Sequence, residues 1–371
     1  MSPAIVLDSG SLTTKAGFAG ESFPRTIIPT TVGRFCQYGL SEGISDVYFG
    51  KEAMIKRGIS KLIWPIKDGV INDWEDMEKL WHHIFYTELH VAPEESQFMI
   101  AIHPMTSEND KERMAEILFE SFTIQELYLA TSSPLVLHAS GRTSGVVWEN
   151  GYSCSYASPV FEGFPLKHAT VSSEINGNVL TDRLQYLLSQ TGFFFTTAIE
   201  RDILERIKRE LCYVSPDYNK DLTTSKLSND SISFKLPDGQ NIFLGSERFE
   251  VPEILFQPSL QGFDCLNIVD VICSSIYKCD LEYKRLFFDN IVISGGTSMF
   301  KGLPERLSVE LSRRIIDQPG IKANIDAMSS RSVAAWTGGS ILASLKSVKG
   351  FWMTKQEYED GGAERVHYKF Y

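Results

Sequence analysis

At 371 residues, with 43% hydrophobic and 22% charged residues, the chain is long enough to bury a large core in two domains and has ordinary globular composition. Its 36 Lys and Arg against 47 Asp and Glu give a net charge of -11, which argues against a general nucleic-acid or anionic-membrane binder and leaves proteins and small ligands as partners. The six cysteines (Cys36, Cys154, Cys212, Cys265, Cys273, Cys279) form no C-x-x-C pair, so they read as reduced, mostly buried thiols and not as a zinc site.

In chain order, MSPAIVLDSG enters a strand pattern at once, with AIVLD at 4–8 running into an acid and a glycine turn. At 74–89, WEDMEKLWHHIFYTEL places Met77, Leu80, Trp81, Ile84 and Phe85 at spacings of three and four behind Asp73, which predicts a capped amphipathic helix. GVVWE at 145–149 is a second strand ending at a glycine turn. Helices follow at 179–188, through Leu180, Leu184, Leu187 and Leu188, and at 199–214, through Ile199, Ile203, Ile207 and Leu211. NIVIS at 290–294 is a third strand; SGGTSMFKG comes next, then a helical LPERLSVELSRRI. Strands and helices mixed in this order predict an α/β protein. No apolar run reaches the roughly 18 residues of a membrane span, so a soluble, intracellular protein is expected.

The chain echoes itself once. AIVLDSGSLTTKAGFAG at 4–20 and GVVWENGYSCSYASPVFEG at 145–163 share the plan strand, acid, any residue, glycine, short turn, strand. Such a tip can aim backbone N–H groups at a phosphate, and the acids Asp8 and Glu149 can hold the water shell of a cation. Two such hairpins facing each other would clamp a nucleotide between two domains. Taken alone, D-x-G between strands is more often only a turn. The SGGT turn could likewise present a helix N-terminus to an anion or backbone to a base. The seven histidines have no metal-binding spacing, and the adjacent His82 and His83 fall on different faces of their helix.

VLDSGSLTTKAGFAGESFPRTIIPTTVGR (6–34), DWEDMEKLWHHIFYTELHVAPEE (73–95), HASGRTSGVV (138–147), SERFEVPEILFQPS (246–259), VISGGTSMFKGLPERL (292–307) and WTGGSILASL (336–345) closely resemble actin, in one register over essentially the whole chain. The resemblance implies the ATPase fold that actin shares with heat-shock ATPases and sugar kinases: two α/β domains, four subdomains in all, around a nucleotide cleft. The subdomains would be 1–29, 65–139 and 334–371 (first), 30–64 (second), 140–175 and 265–333 (third), and 176–264 (fourth). It implies ATP or ADP with Mg2+ or Ca2+. The phosphate and cation side would be Asp8, Gly10, Ser11, Leu12, Lys15, Glu149 and Gly151, with Asp8 and Glu149 reaching the metal through water. The base and ribose side would be Gly177, Lys208, Gly295, Gly296, Thr297, Met299 and Phe300.

The departures from the family fall on the chemistry. Leu12 replaces a glycine, and a conflict with glycine-like backbone angles is expected there. Ser132 stands for the glutamine that positions the attacking water. Tyr152 and Tyr156 stand for an aspartate and a histidine, and a phenol with a pKa near 10 replaces neither. Arg209 and Ser332 stand for a ribose-side glutamate and a base-side lysine. No catalytic residue is therefore assigned; Ser132, Tyr152 and Tyr156 are degenerate positions, and a pseudo-ATPase is expected.

The resemblance also implies protein partners, among them actin or other actin-like subunits, at actin-type surfaces. The target cleft would be His138, Ala139, Gly141, Thr143, Phe164, Leu342 and Leu345, an apolar set suited to an amphipathic helix. His138 reads more simply as a rim histidine than as a switch. Leu260 and Phe263 in the plug region would serve either a partner or their own domain. The loop CQYGLSEGISD at 36–46 looks short and carries Glu42. MSPAI has no acidic extension, and Asp68 occupies the site of a commonly methylated histidine. The expected protein is an actin-like subunit of a cytoskeletal or other assembly, in the cytoplasm, with nucleus and cilium left open. One alternative is an active filament-forming actin that hydrolyses ATP; another is a phosphotransferase of the same fold.

Overall fold

The computed structural model describes residues 3–35, 47–227, 231–318 and 320–370. The 36–46 loop with Glu42, Cys36, and the first two residues of MSPAI lie outside the described residues. The chain divides into two compact units: Met1–Val147, Ser158–Lys167 and Val333–Tyr371 form unit 1, and Trp148–Ala157 with His168–Ser332 form unit 2. The mixed sheets and helices of both units are those of the expected α/β class.

Unit 1 is built on a six-stranded sheet in the order Met353–Thr354, Glu126–Thr131, Gln97–Ile102, Ile5–Ser9, Thr13–Phe18, Thr26–Pro29. The strands Glu126–Thr131, Gln97–Ile102 and Ile5–Ser9 are mutually parallel, and the remaining neighbouring pairs are antiparallel. Because side chains alternate along a strand, the run Ile5, Val6, Leu7 feeds two cores. Ile5 and Leu7 join Met77, Leu80, Trp81, Phe85 and Phe98 on one face; Val6 joins Met99, Leu135 and Trp336 on the other. A strand buried on both faces needs an unbroken apolar run, which is what the sequence has there. Asp73 accepts from the Asp76 N–H and starts the Trp74–His82 helix as expected, but the last turn widens into a π-helical His83–Glu88. Asp68, at φ 51, sits in a two-residue Asp-Gly hairpin between Ile66–Lys67 and Val70–Ile71, a turn that favours these two residue types.

In unit 2 the strand Ile291–Ser294 lies between the Gly145–Asn150 strand and Ile325–Asp326, which it pairs in parallel. Ser155–Ala157 pair antiparallel with Val171–Ser173. The helices Gly177–Gln190 and Ala198–Leu211 are capped by Asn176 and by a Thr197/Glu200 capping box. The second ends before the expected residue 214, because the Tyr213 N–H leaves to bond the Arg248 carbonyl at 3.0 Å and the Val214 N–H the Lys301 carbonyl at 2.8 Å. Cys212, Cys273 and Cys279 are buried, Cys154 and Cys265 half-buried, and none of these five is in a disulfide.

Candidate functional site

The first hairpin, Ile5–Ser9 with Thr13–Phe18, brings Asp8 to the carboxyl end of its strand. Ser132 follows directly on the parallel strand Glu126–Thr131, so both residues lie at the sheet edge where α/β folds bind ligands. Asp8 and Lys15 are register partners, and Lys15 Nζ donates to Asp8 Oδ2 at 2.9 Å. An ammonium has three donors, so that bond leaves Lys15 capacity for a second anion. The turn is closed from inside: the Gly10 N–H bonds the Thr13 carbonyl at 3.1 Å, while Thr30 holds the Gly10 carbonyl through Oγ1 at 2.7 Å and the Leu12 carbonyl through its N–H at 2.9 Å. Thr30 was not singled out in the sequence; its only signal was a polar Thr-Thr pair after an apolar strand. The conflict expected at Leu12 does not arise. Leu12 is not among the residues with positive φ, because Thr30 and the Gly10–Thr13 bond shape the turn without a left-handed residue.

The second hairpin, Gly145–Asn150 with Ser155–Phe161, spends its polar groups differently. Tyr156 is buried, and its hydroxyl donates to Glu149 Oε2 at 2.8 Å. The Tyr152 hydroxyl accepts from Arg201 Nε at 3.1 Å, and Arg201 also pairs with Asp182 at 2.8 Å and bonds the Asn178 side chain. Burial pushes the Tyr152 phenol above its ordinary value, against the opposing pull of Arg201, so it stays neutral. The turn's carbonyls are anchored in turn: Gly151 accepts from the Gly177 N–H (3.0 Å) and Thr297 Oγ1 (2.8 Å), Tyr152 from the Asn178 N–H (2.7 Å), and Ser153 from Asn176 Nδ2 (2.9 Å).

Two glycines make this approach possible. A Cβ on Gly177 would lie 2.5 Å from Thr297 Oγ1, and one on Gly295 would lie 2.2 Å from the Asn150 carbonyl oxygen at a φ of +92. Thus the structure gathers Glu149, Gly151, Tyr152, Tyr156, Gly177, Gly295 and Thr297 around one hairpin. Gly296–Met299 form a short 3-10 turn; Met299 is 40% exposed and Phe300 is buried.

Lys208 belongs to the same cluster but is turned inward. Its ammonium donates to the Gly177 carbonyl (2.6 Å), Thr181 Oγ1 (2.7 Å) and Glu205 (2.9 Å), which uses all three donors. The Tyr152 ring lies 5.9 Å away. Burial lowers the Lys208 pKa, with Glu205 opposing. Glu205 and Arg201 were missed in the sequence. Glu205 sits three residues before Lys208 on an amphipathic helix, which looks like any surface pair.

The sequence model of one family, Actin, matches residues 1–371. The chain belongs to the actin family. Actin-family proteins generally bind nucleotide with a divalent cation and interact with other proteins. The residues of this actin-family chain fit the phosphate part of that role at the first hairpin: Lys15 has donors to spare, and Ser9 Oγ is buried without a partner. They fit the base-side role less well, since Lys208 is saturated by its own unit. No helix among the described residues is long and apolar enough to cross a membrane.

The expected target cleft falls within unit 1 of this actin-family protein. His138 and Ala139 end the Ser132–Ala139 helix, and Leu342 lies on the Ala334–Ser344 helix packed against it. The Thr143 carbonyl accepts from the Gly163 N–H at 2.7 Å, which sets Phe164 beside this region. Phe164 and Leu345 are exposed, whereas Leu342 is half-buried against the Trp336 core; the exposed Ile341, on the same helix as Leu342, was missed. His138 Nδ1 is buried without a partner and burial lowers its pKa, so the ring is neutral near pH 7. In unit 2, Leu260 and Phe263 are half-buried, and Gln261 between them accepts from Arg183 at 3.1 Å.

Proposed function

We propose that this actin-family protein is a structural subunit of a cytoskeletal or other multiprotein assembly that binds ATP and does not hydrolyse it efficiently. The observation that carries the reading is the Tyr156–Glu149 hydrogen bond. Hydrolysis needs a group that orients the attacking water and a way to neutralise charge. Tyr156 has committed its proton to Glu149, Tyr152 is a neutral phenol held by Arg201, and Ser132 is short and buried. Each positioning group lost from a catalytic site costs about 2.7–4 kcal/mol, by analogy with oxyanion donors, and three are replaced here.

Binding rests on the first hairpin. Lys15 and the turn at 10–12 would hold phosphate, and Asp8 would hold the water shell of Mg2+ or Ca2+, which supplies charge neutralisation when bound. The protein's exposed Phe164, Ile341 and Leu345 offer an apolar face to an amphipathic partner helix, which suits an assembly of actin-like or other protein subunits.

The test is to purify the protein without added nucleotide, denature it, and identify the released nucleotide by chromatography. The expected result is about one ATP per chain. Predominant ADP would replace this reading with a filament-forming ATPase. A folded protein without nucleotide would remove the binding half of the proposal.

A further inference from the structure

Behind the first hairpin's turn lies a buried polar chain. Thr14, on the Thr13–Phe18 strand, and Thr30, one residue past the Thr26–Pro29 strand, are both fully buried, and their hydroxyls are 2.9 Å apart. The same Thr30 hydroxyl reaches the Gly10 carbonyl at 2.7 Å, and the Thr30 N–H reaches the Leu12 carbonyl at 2.9 Å. A hydroxyl has one proton. The Gly10 oxygen can only accept, so the Thr30 proton goes there, and Thr14 must be the donor to Thr30. The chain of bonds therefore has one direction, Thr14 to Thr30 to Gly10, and each bond polarises the next.

Packing alone does not ask for this pair. Valine has the shape of threonine, and replacing both partners of a buried hydrogen bond by apolar groups of the same shape is close to neutral for stability. Valines would not hold the Gly10 carbonyl. In a trans peptide the carbonyl and the following N–H point in opposite directions, so the bond from Thr30 sets the Gly10–Ser11 peptide with its oxygen inward and the Ser11 N–H turned away from Thr30. Lys15 stands close by, with its Nζ 3.8 Å from where a Cβ on Gly10 would lie. Thr30 holds the Leu12 carbonyl at the same time, so one residue fixes both ends of the turn at 10–12. We propose that Thr30, oriented by Thr14, is a positioning residue for phosphate at the first hairpin: it sets the turn's peptides against the Lys15 ammonium and so slows the release of bound ATP. The inference rests on the nucleotide-binding reading given above.

The experiment is a chase. Full-length wild type, Thr30→Val, Thr14→Val/Thr30→Val and Thr30→Ser are loaded with radiolabelled ATP and mixed with excess unlabelled ATP, and retained label is followed by filtration. Release about tenfold faster than wild type is expected from both valine forms, as loss of one hydrogen bond implies. Thr30→Ser keeps the donor and should stay within about twofold of wild type. Thr30→Val strands the buried Thr14 hydroxyl and should melt at a lower temperature; the double variant removes both hydroxyls and should recover most of that loss while still releasing ATP fast. A purely structural role would not give that split, because release would slow again as stability returned. Wild-type release from the double variant, or release from Thr30→Ser as fast as from Thr30→Val, would overturn this inference alone. Wild-type protein that never retains label would overturn the nucleotide-binding reading and this inference with it.

Discussion

The two glycine hairpins share one plan but use their acids in opposite ways. In the first, Asp8 faces Lys15, an ammonium with donors left over, and the turn is braced from behind by Thr30. In the second, Glu149 faces Tyr156, and the turn's carbonyls are tied down by Gly177, Asn178, Asn176 and Thr297. The first arrangement stays open to an anion. The second is satisfied within its own unit, and every charge near it has a protein partner: Arg201 with Asp182, Lys208 with Glu205. A hairpin can therefore keep its backbone plan while the groups that would act on a bound phosphate turn inward.

The largest expected effect breaks the inward side. Lys208→Met would leave Glu205 buried and unpaired, at a cost of about 3–5 kcal/mol, measured as a shift in the urea midpoint; a small shift would mean that the pair is not what seals the second hairpin. Next comes Gly295→Ala. Its Cβ would meet the Asn150 oxygen at 2.2 Å, so a loss of about 3 kcal/mol is expected. Gly10→Ala in the first hairpin, with negative φ and a nearest contact of 3.2 Å, should cost under about 1 kcal/mol.

Tyr156→Phe would remove one hydrogen-bond donor from Glu149 and cost about 1–2 kcal/mol without changing nucleotide content. By contrast, Lys15→Ala should lower bound nucleotide about tenfold with a smaller stability change. The reverse pattern, occupancy lost in Tyr156→Phe and kept in Lys15→Ala, would invert the comparison.

The smallest effect lies away from both hairpins. His367 on the C-terminal Val366–Lys369 helix faces Glu108 Oε2 through Nδ1 at 2.7 Å and Glu112 through Nε2; Lys111 and Lys167 stand beside Glu108. Only an imidazolium can donate to both carboxylates, and the bonds to Glu112 and then Glu108 raise its pKa. A raised folded-state pKa means that the contribution is complete below the ordinary 6.5 and is lost as pH rises through the raised value. His367→Gln should flatten that slope, worth under about 1 kcal/mol at this exposed site, and leave nucleotide content untouched.

Much of this architecture was legible in the sequence because its signals are local. Asp73 capped the helix it was expected to cap, the three β-branched runs became strands, and Asp8 with Lys15 meet because a short hairpin makes them register partners. The misses are tertiary. The helix expected at 199–214 stops early because Tyr213 is drawn to Arg248 and Val214 to Lys301, and the π-helical turn after His82 leaves no mark in the apolar spacing. Tyr152 was readable as the loss of an aspartate but not as the acceptor of Arg201, 49 residues on. Lys208 was expected to face a ligand, and only the fold places Glu205, Thr181 and the Gly177 carbonyl around its ammonium.

The most direct measurement is a single-turnover assay: load the purified protein with ATP labelled at the γ-phosphate, hold it under conditions that favour assembly, and follow released phosphate against retained ATP. The account predicts that the label stays on bound ATP for hours, a barrier higher by several kcal/mol than that of a working site. Stoichiometric release of labelled phosphate within minutes would contradict it, because Tyr156 and Glu149 would then have to be part of a hydrolytic site after all.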